Sequence, residues 1–240
     1  MVFLRQNLTM KKTLFAFVGG LVAVAAVTSC NNDNNNVTPP VAAFGVVNAS
    51  PNSGNVDVYL NGSPVVYMLP YGTDTGYYSV QAGTYTLTID TAGSTTPWYN
   101  QSISFAAGVN YSVFAIDSAQ KMQTSVVVDS FTAPSGDTAL IRFLDYSPNT
   151  GAIDVAVQGG SVLFSNRTYN DVAANASFAQ FGNLTAGTYT LEVRAAGTST
   201  VLFTFPNFTV TGGKVYTLFA KGFTGGDGGQ ALTLDTVAHN

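Results

Sequence analysis

Val46-Val47-Asn48-Ala49-Ser50-Pro51-Asn52-Ser53-Gly54-Asn55-Val56-Asp57-Val58 returns 97 residues later as Phe143-Leu144-Asp145-Tyr146-Ser147-Pro148-Asn149-Thr150-Gly151-Ala152-Ile153-Asp154-Val155. Ala82-Gly83-Thr84-Tyr85-Thr86-Leu87 is identical to Ala186-Gly187-Thr188-Tyr189-Thr190-Leu191 at an offset of 104, so the second copy carries about seven extra residues, placed around Phe164 to Ala176. Gly108-Val109-Asn110-Tyr111 aligns with Gly213-Lys214-Val215-Tyr216, and each copy ends in a strand-like run, Ser125 to Phe131 and Ala231 to Val237. Matched blocks in the same order mean a tandem duplication. The copies run over residues 41–131 and 138–240, joined by the turn-former cluster 132–137. A linker that short leads to an expectation that the two units touch end to end.

Within each copy the apolar period is two. Tyr85-Thr86-Leu87-Thr88-Ile89 and Tyr189-Thr190-Leu191-Glu192-Val193 alternate as half-buried antiparallel strands do. Turn signals such as Ser50-Pro51-Asn52 and Asn61-Gly62 recur at short intervals, and nothing after Pro40 keeps a helical period. Seven or eight short strands per copy, without crossover helices, predict an all-β fold of two tandem immunoglobulin-like or transthyretin-like antiparallel β-sandwiches. An up-and-down barrel is the alternative.

Lys11 and Lys12 precede an uncharged, apolar run from Thr13 to Ala26 that ends at Val27-Thr28-Ser29-Cys30. This is the layout of a secretory signal over residues 1–29, with Met10 an alternative start, and it is too short for a membrane span of about 20 apolar residues. Val-Thr-Ser-Cys resembles the lipobox of bacterial lipoproteins, which implies that Cys30 carries lipid and becomes the mature N-terminus. The bland alternative is an ordinary thiol, although a lone cysteine in an exported chain is itself unusual. Residues 30–40 are then a polar, aperiodic tether reaching at most about 35 Å. The resemblance implies an outer-membrane lipoprotein of a Bacteroidetes-like cell envelope, facing the periplasm or the surface, with the membrane as its first partner.

From Cys30 onward 13 acidic residues face 6 basic ones, a net charge of −7, which excludes a nucleic-acid groove as a leading idea. Val, Thr, Tyr, Phe and Gly abound while Glu and Lys are scarce, a strand-favouring composition. With one cysteine there is no disulfide, and hydrophobic burial must hold the fold together.

The signature Asn48-Ala49-Ser50-Pro51-x-x-Gly54-x-Val56-Asp57-Val58-Tyr59 and the A-G-T-Y-T-L block resemble the bacterial envelope family called domain of unknown function 4397, once per copy. The second copy departs at Asp145, Tyr146 and Ala156. The resemblance implies an extracytoplasmic β domain and brings no catalytic residues.

Enzyme chemistry is not expected. His239, the sole histidine, is penultimate, where chain ends usually fray, so no Ser-His-Asp or Cys-His arrangement is in prospect, and no His/Cys metal site or other cofactor is expected. Glu192, the one glutamate, sits in a strand on the expected solvent face. Asp57 and Asp154 occupy equivalent places. They read either as Ca²⁺ or glycosidase carboxylates or as solvent-facing and backbone-bonding groups near the Ser-Pro turn; the second reading is preferred, because equivalent residues of two domains do not converge on one site.

Aromatic residues are uneven. The first copy has eight tyrosines and Trp98; the second has four tyrosines. Tyr77 and Tyr78 point to opposite faces of a strand, and Trp98-Tyr99 lies beside a loop, so these four are the candidate ligand-binding residues, able to stack on sugars or peptides. The bland alternative makes them ordinary core and rim. Thr91, Ser118, Thr138 and Thr236 each follow Asp and precede an apolar residue, resembling the O-glycosylation acceptor motif of Bacteroidetes. The chain therefore reads as a non-enzymatic envelope protein with a structural, adhesive or ligand-binding role, or alternatively as a glycan-binding or glycan-processing one.

Overall fold

The outer strands of each copy alternate and the inner ones do not, and this difference organises the molecule. The computed structural model describes residues 39–94 and 97–239; the leader, Cys30 and most of the tether lie outside them. The first copy forms β1 (Val41–Asn48), β2 (Val56–Leu60), β3 (Ser63–Leu69), β4 (Asp74–Gln81), β5 (Gly83–Thr91), β6 (Pro97–Phe105), β7 (Asn110–Ile116) and β8 (Gln123–Val128). The second forms β9 (Thr138–Asp145), β10 (Ile153–Val157), β11 (Val162–Arg167), β12 (Gly182–Thr185), β13 (Gly187–Ala195), β14 (Val201–Val210), β15 (Val215–Lys221) and β16 (Thr233–Ala238).

The first sandwich stacks sheet β4-β1-β7-β8 on sheet β3-β2-β5-β6, and the second stacks β12-β9-β15-β16 on β11-β10-β13-β14. The orders correspond strand for strand, so the duplication read from two sequence blocks extends to the whole topology. Pairing is antiparallel except for β1 with β7 and β9 with β15, which run parallel. Asn61 and Gly62, with φ of 50° and 75°, close the β2–β3 hairpin as a two-residue turn that needs left-handed backbone at both positions.

Each sandwich has its own core. Val56, Val58, Leu87 and Ile89 meet Phe44, Val46 and Val113 in the first; Val155, Leu191 and Val193 meet Ile141, Phe143 and Leu218 in the second. A third core joins them. Val47, Phe114, Ile116 and Val127 of the first copy pack on Leu144, Tyr146, Phe219 and Val237 of the second. The units therefore meet flank to flank through their inner sheets, not end to end as the short linker suggested. The result is one compact body of four layers. The β11–β12 connection, residues 168–181, is ten residues longer than its counterpart 70–73 in the first copy and places Tyr169, Val172 and Ala179 over this junction.

Polar groups are sealed into the junction as well. Arg142 is fully buried, pairs with Asp129, and donates from Nε to Thr217 Oγ1 at 2.8 Å. Asp129 also accepts from Tyr77 at 2.6 Å and from Ser112 at 2.8 Å. His239 does not fray: Nε2 lies 2.6 Å from Thr217 Oγ1, Nδ1 lies 2.8 Å from the Tyr77 hydroxyl, and its ring packs against Phe131 and Phe181. Burial holds its pKa down at about 4, so the ring is neutral at pH 7.

The repeated signature builds the β1–β2 turn. Asn48 Oδ1 accepts from the Ser50 N–H and from Ser53, while Nδ2 donates to Gly54 and Leu69 carbonyls. Asp145 takes the same place, accepting from the Ser147 N–H at 3.0 Å and from Thr150 at 3.2 Å. Burial pushes the Asp145 carboxyl up to about 7, against the opposing hydrogen bonds from Ser147 and Thr150.

Two outcomes follow from this chemistry. Asp129→Ala strands a buried guanidinium and is expected to cost about 3–5 kcal/mol in urea unfolding, with the double variant Asp129→Leu/Arg142→Met recovering much of it; a loss below about 1 kcal/mol would show that the pair is not sealed. Because the raised Asp145 carboxyl makes the folded state bind the extra proton, its contribution is full below about pH 4 and is lost as pH rises through about 7. Asp145→Asn, which copies Asn48, is expected to raise the melting temperature by roughly 2–4 °C at pH 8 and by less at pH 5. Equal shifts at both pH values would contradict the assignment.

Candidate functional site

The side chains of β3, β2, β5 and β6 that do not enter the first core form an open outer face. Inward residues are fixed by Val58, Leu60, Leu87, Ile89 and Ile103 in the core. By alternation the outward set is Asp57 and Tyr59 on β2, Thr84, Thr86, Thr88 and Asp90 on β5, and Trp98, Asn100, Ser102 and Ser104 on β6. The Thr84–Ser104 hydroxyl contact at 2.8 Å lies on this face. Tyr67, 63% exposed, stands at one margin on β3, and Trp98, 36% exposed, at the other.

At the centre Asp57 and Asp90 oppose each other across β2 and β5. Both are at least nine-tenths buried, 4% and 5% exposed. Asp57 is fully used: Oδ1 accepts the Met68 N–H at 2.7 Å and Oδ2 the Gly93 N–H at 3.0 Å, holding two residues with positive φ. Asp154 does the same with the Asn166 and Gly197 N–H groups at 2.7 and 2.9 Å. The backbone-bonding reading of this pair is therefore right in kind, but the partners are the neighbouring strand and hairpin, not the Ser-Pro turn. Asp90 differs, because its Oδ1 is buried without a hydrogen-bond partner. Burial, and then the charge of Asp57, push its pKa up. The Tyr59 hydroxyl is pushed up by burial and by the charges of Asp90 and Asp57.

The second copy fills the equivalent face with its own groups. Arg194 stands where the first copy has Asp90, opposite Asp154, and its guanidinium binds Glu192 at 2.5 Å. Glu192 is on the outer face as expected but is covered, with its pKa lowered chiefly by that hydrogen bond. Ala156 replaces Tyr59.

The four aromatic residues singled out from the sequence do not form one patch. Trp98 alone lies on the outer face. Tyr99, its neighbour in the strand, turns inward against the core, with its hydroxyl bonded to Gln101. Gln101 also donates to Thr124 of β8 at 2.7 Å, which places β6 along the β8 edge. Tyr77 and Tyr78 sit on β4, beside β3 at the opposite edge. Tyr78 leans on Phe44, and Tyr77 belongs to the junction with Asp129 and His239. Tyr59 and Tyr67 were missed. The signal for Tyr59 was its spacing from Asp57, two residues along one strand, which puts both on one face.

The tyrosines of the A-G-T-Y-T-L blocks are structural: Tyr85 and Tyr189 each donate to the carbonyl four residues upstream, Gln81 and Thr185. Thr91, Ser118, Thr138 and Thr236 are all half-buried, and Thr138 and Thr236 lie within paired strands. Thr217, His239, Tyr77 and Asp129 connect in the manner of a nucleophile, base and acid, but Thr217 is wholly buried and engaged by Arg142. Among the described residues no three His, Cys, Asp or Glu side chains converge as metal ligands would.

Residues 42–156 match the family model of Domain of unknown function (DUF4397). The match supports the resemblance drawn from the signature and covers the first copy, the linker and the second copy as far as Ala156. Among curated proteins no sequence match is found. A solved structure described as alpha-glucan binding by a streptococcal virulence factor aligns over 74% of this chain and 92% of that one, at 10% identity and a TM-score of 0.24, too low to carry an argument from fold or ligand. The DUF4397 match supports that family for residues 42–156 and assigns no ligand, and the outer face of the first copy remains the site with unspent chemistry.

Proposed function

We propose that this protein is a non-catalytic, lipid-anchored binding module of a bacterial cell envelope, attached to the outer membrane through Cys30, and that the outer face of its first copy binds carbohydrate. The difference between the two outer faces carries the reading. One face is closed by an internal ion pair; the other presents two exposed aromatic rings and a row of hydroxyls with the Asn100 amide, above a buried carboxyl with an unused oxygen. Flat rings that offer an apolar body, set among hydrogen-bonding groups, suit the mixed surface of a sugar. The leader and Cys30 support the address.

Full-length protein in detergent, applied to a glycan array, is expected to retain at least one oligosaccharide class, with Trp98→Ala weakening it about tenfold. Retention of no sugar, or no effect of Trp98→Ala, would overturn the carbohydrate reading. Cells fed a clickable fatty acid are expected to label the wild-type chain and not Cys30→Ser; equal labelling of both would remove the anchor.

A further inference from the structure

A carboxyl buried beside another carboxyl, with an unbonded oxygen, is an unfavourable arrangement for a protein to keep. The charge acting on Asp90 is that of Asp57, and no cation among the described residues offsets it. The duplicated copy carries the opposite charge at the same position: register for register, Asp57 opposes Asp90 where Asp154 opposes Arg194, whose guanidinium is held by Glu192. Where the second copy supplies a guanidinium, the first supplies a second acid and leaves the positive group to come from outside.

The flanking residues narrow what that group is. Trp98 sits at the β-bulge that sets Pro97 opposite Asp90, and Tyr67 at the bulge of β3 that faces Asp57, so ring, acid, acid and ring follow one another across four strands. At about 4.8 Å per strand the row spans roughly 14 Å. A calcium ion is a poor fit, since it takes six to eight oxygens, Asp57 spends both of its own on backbone N–H groups, and no third carboxylate joins the pair among the described residues. An ammonium group needs fewer acceptors and is attracted both by carboxylates and by aromatic faces.

We infer that the Asp57–Asp90 pair accepts a protonated amine, and that the carbohydrate taken by this face is an amino sugar carrying free, unacetylated amines. The inference rests on the carbohydrate reading above. Trp98 stacks on a sugar ring and presses its amine toward Asp90, which lies just below the surface. Thr88 and Asn100, next along the face, meet the neighbouring hydroxyls.

The test titrates full-length protein in detergent with a fully deacetylated glucosamine tetramer and with its N-acetylated counterpart. The deacetylated tetramer is expected to bind at least tenfold more tightly, and raising the salt is expected to shrink the gap. Asp90→Asn, nearly isosteric and free of the like-charge contact, is expected to abolish the preference. Asp90→Arg combined with Thr88→Glu, which installs the Arg194–Glu192 arrangement of the second copy, is expected to abolish binding of both while leaving the melting temperature no lower. Equal affinity for the two tetramers, or a preference that survives Asp90→Asn, would overturn the amine assignment. If neither tetramer binds and the array retains a neutral glycan, the amine assignment falls and the carbohydrate reading stands; if the array retains nothing, both fall.

Discussion

The fold depends on the burial of two sheets on both faces. Four sheets stack, and the inner pair, led by β1 with β7 and β9 with β15, must satisfy a sandwich core on one side and the junction on the other. Arg142 is the demanding member of that junction, because a buried guanidinium survives only with its donors engaged. Asp129, Thr217 and the Val128 carbonyl engage them, and Phe181 covers the guanidinium plane. Tyr77, Ser112 and His239 then complete the partners of Asp129 and Thr217. Residues from both copies thereby converge on one buried ion pair.

Duplication freed the two outer faces to diverge while the inner ones became interdependent. The inner pseudo-equivalents met each other: Phe114 and Phe219 contact edge to face across the junction, with centroids 5.5 Å apart. Tyr146 stands where the first copy has Ala49, and its larger ring reaches Phe114 and Ser125. On the outside the staple provided by Asp57 and Asp154 was kept in both copies, since each holds a strained hairpin. The residues around it changed from an internal ion pair to an open acid pair.

Much of this was legible in the sequence, for physical reasons that also explain the gaps. Period-two alternation identifies a strand with one wet face, so β5 and β13 could be read directly, and repeated blocks could be read without any structure. The flank-to-flank junction left a fainter trace: VAAFGVVN, NYSVFAI, TALIRFLD and VYTLFAK are nearly continuous apolar runs, the pattern of strands covered on both sides. Linker length spoke for contact between the copies but could not say through which surface. The candidate site was half legible. Trp98 stood out as a rare residue, whereas Tyr59 and Tyr67 join it only through strand pairing, and Asp90 acquires its meaning from a comparison with Arg194 that needs the register. His239 was misjudged because position near a terminus says nothing of what a buried hydroxyl requires.

The position of β1 has a mechanical consequence. It is the first strand among the described residues and lies inside its sheet, hydrogen-bonded along one edge to β4 and along the other to β7. Tension applied at Val41 along the strand axis would load both ladders in shear, so the bonds must fail together, whereas a strand at a sheet margin peels away one bond at a time. If the chain is held from its N-terminal side, as proposed above, a pull falls first on a strand bonded along both edges.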